Sequence, residues 1–359
     1  MDISKSFVTF IASGILLATS ASGQGVHKYR ESFSQFAGVQ AVTGREARFV
    51  EFLKSQLPAG AKAAIDNMGN LTVQIGAQPP QLLIVTSVDE PGYVVTDITD
   101  EGYLRVESTA GRGATTLFHQ FHEGHYVDIS AAAGTIRGVV AIPSTHIFRG
   151  HRENLTTEKF LIDIGARSKE EAFARGVQTL DPVAAVKDIA FLAGNRMAGP
   201  MLSRKFGAFA LVEALKNCTS KQASGVVFAW ATQSAMRNSG VARLARKYSP
   251  KEVLIVGSFR RAEDRRTHAV TNPVDTLDRG VLIPDGNASP LLRAASGVKI
   301  TSSPTGPLPE IRSFAQTKAD VLPVAIPVKY PDTLVEVIGL DDLDQLIQFV
   351  TLVAATPLP

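Results

Sequence analysis

Residues 82–106 read LLIVTSVDEPGYVVTDITDEGYLRV, and the change of pattern inside this stretch sets the architecture. Leu82 to Val88 is short, apolar and rich in β-branched residues, which predicts a strand covered on both faces. From Gly92 onward the apolar runs shorten to Tyr93-Val94-Val95 and Tyr103-Leu104-Arg105-Val106, separated by Gly and Asp turns. Tyr126 to Ile129 and Thr135 to Ile142 continue the same pattern. One helix interrupts it, where Ser168 and Glu171 form a capping box ahead of Ala172 to Arg175. Residues 92–191 therefore read as a β-rich domain inserted into a larger one.

On either side of this block, helices and strands alternate. Thr43-Gly44-Arg45-Glu46 reads as a capping box, followed at helical spacing by Phe49, Phe52 and Leu53, with the helix ending near Pro58. Asp66 to Asn70 predicts a turn into the strand Leu71 to Ile75. Phe206 to Lys216 predicts a helix; Val226 to Ala231 and Val253 to Val256 predict buried strands. Asp341 is expected to cap a last helix through Leu343, Leu346, Ile347 and Val350. This alternation predicts an α/β fold, a doubly wound mixed sheet built from residues 26–91 and 192–359.

At 359 residues, 45% hydrophobic and 20% charged, the chain has the composition of a globular protein rather than a disordered one. A net charge of +3 carries no nucleic-acid signature, and the densest basic run, Arg260 to Arg266, is broken by Glu263 and Asp264. Lys5, the apolar run Phe7 to Ala18 and the small residues Thr19 to Gly25 fit an export signal over 1–23, cleaved near Ala21 to Gly23. The run is shorter than the roughly 20 residues a membrane span needs, so no stable membrane anchor is expected. The mature protein is then secreted or periplasmic. Cys218 is the only cysteine, which excludes an intramolecular disulfide and a cysteine-type zinc site and reads as a small buried apolar residue.

Several segments, in order, resemble the M42 metallo-aminopeptidases of the glutamyl aminopeptidase or TET type. Ser87-Val88-Asp89-Glu90-Pro91-Gly92 stands where that family carries a His-Met-Asp-Glu-Ile-Gly stretch. Thr96 to Val106 resembles the start of the family's inserted β domain, and Leu161-Ile162-Asp163-Ile164-Gly165-Ala166-Arg167-Ser168-Lys169-Glu170-Glu171-Ala172 is the most family-like segment. Asp181-Pro182, Ile326 to Tyr330 and Val335-Glu336-Val337 complete the set, which covers nearly all of residues 35–355. The resemblance implies two zinc or cobalt ions held by His and carboxylates, with a Glu base activating a bridging water. Two cations about 3.5–4 Å apart polarise the scissile carbonyl and supply hydroxide near neutral pH. It also implies an inserted domain that mediates assembly, and hence a homo-oligomer.

Position by position, this chain departs from the pattern. The resemblance places the first ligand His at Ser87, the bridging Asp at Ser203, and the base and next ligand at Ser234 and Ala235. It places the next ligand Asp at Gly257 and the final His at Asp332, which alone could bind a hard cation. Asp89, which in the family orients the first His, is kept, and Gly306-Pro307-Leu308 replaces a pocket-shaping Gly-Thr-Asp. A carboxylate pocket without its cations suffers like-charge repulsion, and Ser, Ala and Gly relieve it. The expectation is a site without a metal cofactor.

Three functions follow: a non-catalytic homologue acting in binding or assembly, an active aminopeptidase with an unconventional site, or a small-molecule or anion-binding module using Arg204, Lys205 and the serines. A peptide or small-molecule ligand is compatible with each, and no nucleic acid is expected. No histidine stands near Ser203 or Ser234 in sequence to serve as a hydrolase base, and neither G-x-S-x-G nor a P-loop occurs. His119, His122 and His125 form the one histidine cluster; read as part of a strand of the inserted domain, they alternate faces and are expected at a surface or interface.

Overall fold

The computed structural model describes residues 27–76, 79–109, 116–142, 144, 146, 156–218, 225–259, 277–303 and 308–356. The export signal at 1–23, the run Arg260 to Arg266, and Gly306 with Pro307 lie outside the described residues.

A six-stranded mixed sheet organises the molecule, in the order Ala63–Ile65, Leu71–Ile75, Val226–Ala231, Leu82–Ser87, Glu252–Val256, Asp320–Val324. The last four of these run parallel, while the 71–75 strand is antiparallel to both of its neighbours. Side chains alternate across a strand, so each apolar run feeds two cores. Leu82, Ile84, Val226, Phe228 and Trp230 face one side, against the helices Arg30–Ala37, Ala47–Gln56, Phe206–Asn217 and Leu340–Ala355. Leu83, Val85, Val227 and Ala229 face the other, against the helix Ser239–Tyr248 and the 3₁₀ turn Pro309–Phe314. Trp230 is fully buried and spends its indole N–H on the Ala208 carbonyl at 3.0 Å. This is the doubly wound arrangement that continuous apolar strands require.

The chain leaves this sheet at Ser87 and builds a closed barrel. Around it run Tyr93–Ile98, Leu104–Ser108, Leu161–Asp163, Gly134–Val140, Tyr126–Ala131 and Pro182–Ala185. Val95, Leu104, Val127, Ile129, Phe160, Ile162 and Val183 fill it as a core separate from the other two. Gly92 stands at the entrance because a Cβ there would come within 2.8 Å of the Val183 carbonyl oxygen. Beyond the barrel, Ala190–Leu192, Arg196–Gly199, Glu336–Gly339 and Val328–Lys329 form a four-stranded sheet that carries the chain back toward the larger one.

Three local expectations are corrected. Thr43 and Glu46 do not form a capping box: the Thr43 hydroxyl donates to Asp89 and Glu46 accepts from Gly44 N–H. Asp341 does not cap the last helix, whose N-cap is Gly339; Asp342 instead accepts from the amides of Asp278 and Gly280. The histidine segment begins as a short helix, Thr116–Gln120, rather than a strand, and His119 and His122 are buried rather than displayed. The Ser168 cap is present, its hydroxyl accepting from Glu171 N–H at 3.2 Å.

Candidate functional site

In a doubly wound sheet, loops leaving the carboxyl ends of parallel strands converge on one edge. Here Ser87 ends one such strand, Thr232 to Ala235 follow the next, and Gly257 follows the third. The positions singled out in the sequence are thus brought to one side of the sheet, joined by Ser203 and Arg204 in the 3₁₀ turn Leu202–Arg204 and by Asp332.

Asp89 is 1% exposed and organises the first half of the site. It accepts from the Thr43 hydroxyl at 2.8 Å, from Ser234 N–H at 2.8 Å and from Ala235 N–H at 3.2 Å. Ser234 and Ala235 therefore engage Asp89 through their backbone amides. Glu46 lies beside them, accepting from Gly44 and Gln233 amides at 2.8 and 2.9 Å. Its burial, reinforced by the charge of Asp89, raises its pKa.

Glu336 organises the second half. It is fully buried and accepts from Ser203 N–H at 2.6 Å, from the Ser203 hydroxyl at 2.8 Å and from Asp332 N–H at 2.7 Å. Burial outweighs these three donors and pushes its pKa up to about 7. Asp332 points its carboxylate at Arg204, 3.4 Å away. Ser87 donates to Glu310 at 3.2 Å, and the second oxygen of that buried carboxylate has no partner. Nε of Arg204 is likewise buried and unpartnered.

Glu310, Glu336 and Glu46 were not recognised as site residues in the sequence. Glu336 was visible only within the family-like segment Val335-Glu336-Val337, and Glu46 only as a cap. Glu310 carried one usable signal: it lies two residues beyond the Gly306-Pro307-Leu308 stretch already placed near the pocket.

Lys205 is corrected as an anion ligand. It has no exposed surface; its ammonium sits 3.8 Å over the Phe49 ring and 3.7 Å from Glu90. Burial brings its pKa down to about 8. Glu90 also pairs with Lys187 at 2.6 Å, so this trio is a charge cluster sealed in the core beneath the site.

The backbone around the site is strained. Met201, Gln233, Tyr330 and Asp332 have φ of 55°, 58°, 54° and 59°. Left-handed conformations in residues with a Cβ persist where the surroundings over-determine them, commonly at functional sites.

The M42 glutamyl aminopeptidase family model matches residues 69–349, most of the chain. The chain belongs to that family. A lysyl aminopeptidase of Pyrococcus furiosus is 23% identical over 300 residues, 79% of this chain and 84% of that protein. The aminopeptidase-like proteins SgcX and FrvX of Escherichia coli (strain K12) are 25% and 26% identical, and the matches span little more than half of their length, 57% and 54%. The TET1 peptidase of Pyrococcus horikoshii, a protein that can assemble into a tetrahedron or a large octahedral shell, superposes with a TM-score of 0.78 at 26% identity, covering 91% of this chain and 99% of that one.

The residues present do not fit the two ions that M42 membership implies. Ser203 has committed both its amide and its hydroxyl to Glu336, and Ser87 donates its hydroxyl to Glu310. Ala235 offers no side-chain donor. At Gly257 a Cβ would already stand 3.3 Å from the Leu308 side chain, so a longer ligand side chain meets packed carbon. Among the described residues, no group of three or more His, Cys, Asp and Glu is placed to hold a metal. Zinc pairs are held by imidazole and carboxylate, and hydroxyls already engaged as donors are poor substitutes.

Proposed function

We propose that this M42 protein is exported and acts in binding or assembly without two-metal peptide hydrolysis. The observation that carries this reading is the donor set: Ser87 and Ser203 spend their hydroxyls on Glu310 and Glu336, while Ala235 and Gly257 offer none. Two-metal hydrolysis needs a water activated between cations, and a site of this composition lacks the ligands to hold them. We take the retained Asp89 network and the strained backbone as what favours a peptide or small-molecule ligand here.

Metal analysis of the purified mature protein, followed by zinc and cobalt titration and an N-terminal residue-release assay, tests this. No tight binding and no metal-dependent release are expected. Two tightly bound ions per chain with metal-dependent release of N-terminal residues would instead establish the second reading, an active aminopeptidase, which the alignment with the lysyl aminopeptidase favours.

Assembly belongs to the same proposal. The P. horikoshii peptidase forms shells, and we take the inserted barrel of this chain to mediate homo-oligomers; a monomer by light scattering at micromolar concentration would overturn that. Export is checked by N-terminal sequencing of the mature protein, with an uncleaved Met1 counting against it.

A further inference from the structure

On one face of the large sheet, the helix Ser239–Tyr248 lies beside the turn Pro309–Phe314 and the residues that follow it. Val241, Leu244 and Ala245 of the helix share a core with Leu308 and Phe314, so the side chains between them turn outward together. Arg243, Arg246 and Lys247 are exposed on the helix, Lys251 just beyond it, and Arg312 and Lys318 on the neighbouring segment. Asp320 N–H donates to the Lys251 carbonyl at 2.9 Å, which holds the stretches bearing Lys318 and Lys251 side by side. Residues 237–251 and 311–319 contain no Asp or Glu. Of the acidic residues at the border, Glu310 turns inward to take the Ser87 hydroxyl, and Glu252 stands opposite Asp320 in the adjacent strand.

Elsewhere on the surface, exposed cations find carboxylates: Arg137 pairs with Asp128, Lys169 with Asp97, Arg175 with Glu171 and Lys216 with Glu213. Among the described residues, no carboxylate forms an ion pair with any of the six cations on this face; Lys247 only leans over the ring of Tyr248, 4.8 Å away. Their charge exceeds the formal net charge of the whole chain, +3, so the rest of the chain is net acidic and the molecule is polarised. Cations gathered without counter-charges repel one another, and a solvated face of mixed sign avoids that cost.

We propose that this face docks on an anionic lipid bilayer, reversibly and through charge alone. The proposal goes beyond the functional reading above and does not depend on metal content. The apolar side of the helix is spent on the protein core, so nothing is left to insert among acyl chains. What remains is the attraction of guanidinium and ammonium groups to headgroup phosphates, which acts within a Debye length of the surface. A single-stranded nucleic acid would also need a stacking platform. The one aromatic residue of the helix, Tyr248, is half-buried and commits its hydroxyl to Thr72 at 3.3 Å. The helix begins four residues beyond Ala235, and Arg312 lies two beyond Glu310, so docking would bring the loops of the candidate site close to the membrane surface.

The test floats the purified mature chain with vesicles of phosphatidylcholine alone and of phosphatidylcholine mixed with phosphatidylglycerol, at low salt and at about 1 M salt. Binding is expected only to the mixed vesicles and only at low salt. Each cation removed should weaken partitioning about fivefold. Arg243→Gln/Arg246→Gln/Lys247→Gln should therefore lose about a hundredfold, and Arg312→Gln/Lys318→Gln about twenty-fivefold. Arg137→Gln/Arg175→Gln/Lys216→Gln makes the same change in net charge away from this face and should bind like wild type. If the helix variant does not fold, the Arg312 and Lys318 variant decides alone. The proposal is overturned by equal binding to neutral and mixed vesicles, by no binding to either, or by a loss no greater in the face variants than in the charge-matched control. Salt-sensitive capture of duplex DNA without any binding to mixed vesicles also overturns it, in favour of a nucleic-acid partner. Metal content bears on none of these outcomes, so the metal-free reading and the docking face fail separately.

Discussion

The barrel and the candidate site both bury ionisable side chains, and they do so by opposite means. In the barrel, Tyr93, His119 and His122 pack with Phe118 and Phe160, and the polar atoms find partners within the same short stretch of structure. The Tyr93 hydroxyl meets Nδ1 of His119 at 2.9 Å, and His122 donates from Nδ1 to the Phe118 carbonyl at 2.8 Å. Burial lowers both imidazole pKa values, so the groups are neutral at physiological pH and the core stays uncharged. At the site, by contrast, carboxylates from distant segments are held by backbone amides and one guanidinium, with polar atoms left over. A region built for stability satisfies its polar groups locally. The site keeps strained backbone and unspent hydrogen-bonding capacity.

The largest effect that would break this comparison is a cavity in the barrel. Phe160 is fully buried and stacks on Tyr93 with ring centroids 4.5 Å apart. Phe160→Ala should cost about 3–5 kcal/mol, read as a fall in the urea midpoint. A loss below about 1 kcal/mol would mean the barrel is not the stability element it is taken to be.

The next effect is a pH dependence of opposite sign in the two regions. His122 has its pKa lowered to about 4 from 6.5, so the stability it contributes is present above pH 6.5 and lost as pH falls toward 4. Glu336 has its pKa raised from 4.5 to about 7, so its contribution is present below pH 4.5 and lost as pH rises toward 7. Each shift corresponds to at most roughly 3–4 kcal/mol at about 1.4 kcal/mol per unit. The two slopes oppose each other in wild type and should separate in variants. His122→Asn should flatten the acid loss, and Glu336→Gln should flatten the decline toward neutrality, both followed by urea midpoints from pH 4 to 8. Unchanged slopes in both variants would show that other groups govern the pH response.

How much of this was legible in the sequence depended on the range of the interactions involved. The strands Leu71–Ile75, Leu82–Ser87 and Val226–Ala231 were readable because apolar content and β-branching act within a few residues. The Ser168 cap was readable for the same reason. The Thr43-Gly44-Arg45-Glu46 pattern has the same letters, yet Asp89, 46 residues away, takes the Thr43 hydroxyl. Local propensity lost there to a buried carboxylate that needed the donor. His119 and His122 were misplaced because histidine is polar by composition, while two imidazoles with Nδ1 hydrogen-bonded pack well beside Tyr93. Glu310 and Glu336 escaped notice because an acidic residue in sequence carries no mark of burial; only the fold removes the water from around it.

The smallest effect sharpens the contrast between a cap that local sequence decides and one that it does not. The Ser168 hydroxyl accepts from Glu171 N–H, while the Glu171 carboxylate accepts from Arg167 N–H at 3.0 Å, one residue earlier than the reciprocal box would have it. Ser168→Ala removes the side-chain acceptor of Glu171 N–H in the first turn of Lys169–Ala174 and should cost about 1 kcal/mol, whereas Ser168→Asp keeps an acceptor there and should cost little. Asp341→Ala, at a position whose letter suggests a cap, should stay within about 0.5 kcal/mol of wild type, since its side chain is 58% exposed and caps nothing. The two alanine variants are compared by urea midpoint at pH 7. Equal losses would mean that the charge of Asp341 at the helix start matters as much as a hydrogen-bonded cap, and the contrast between the two positions would fall.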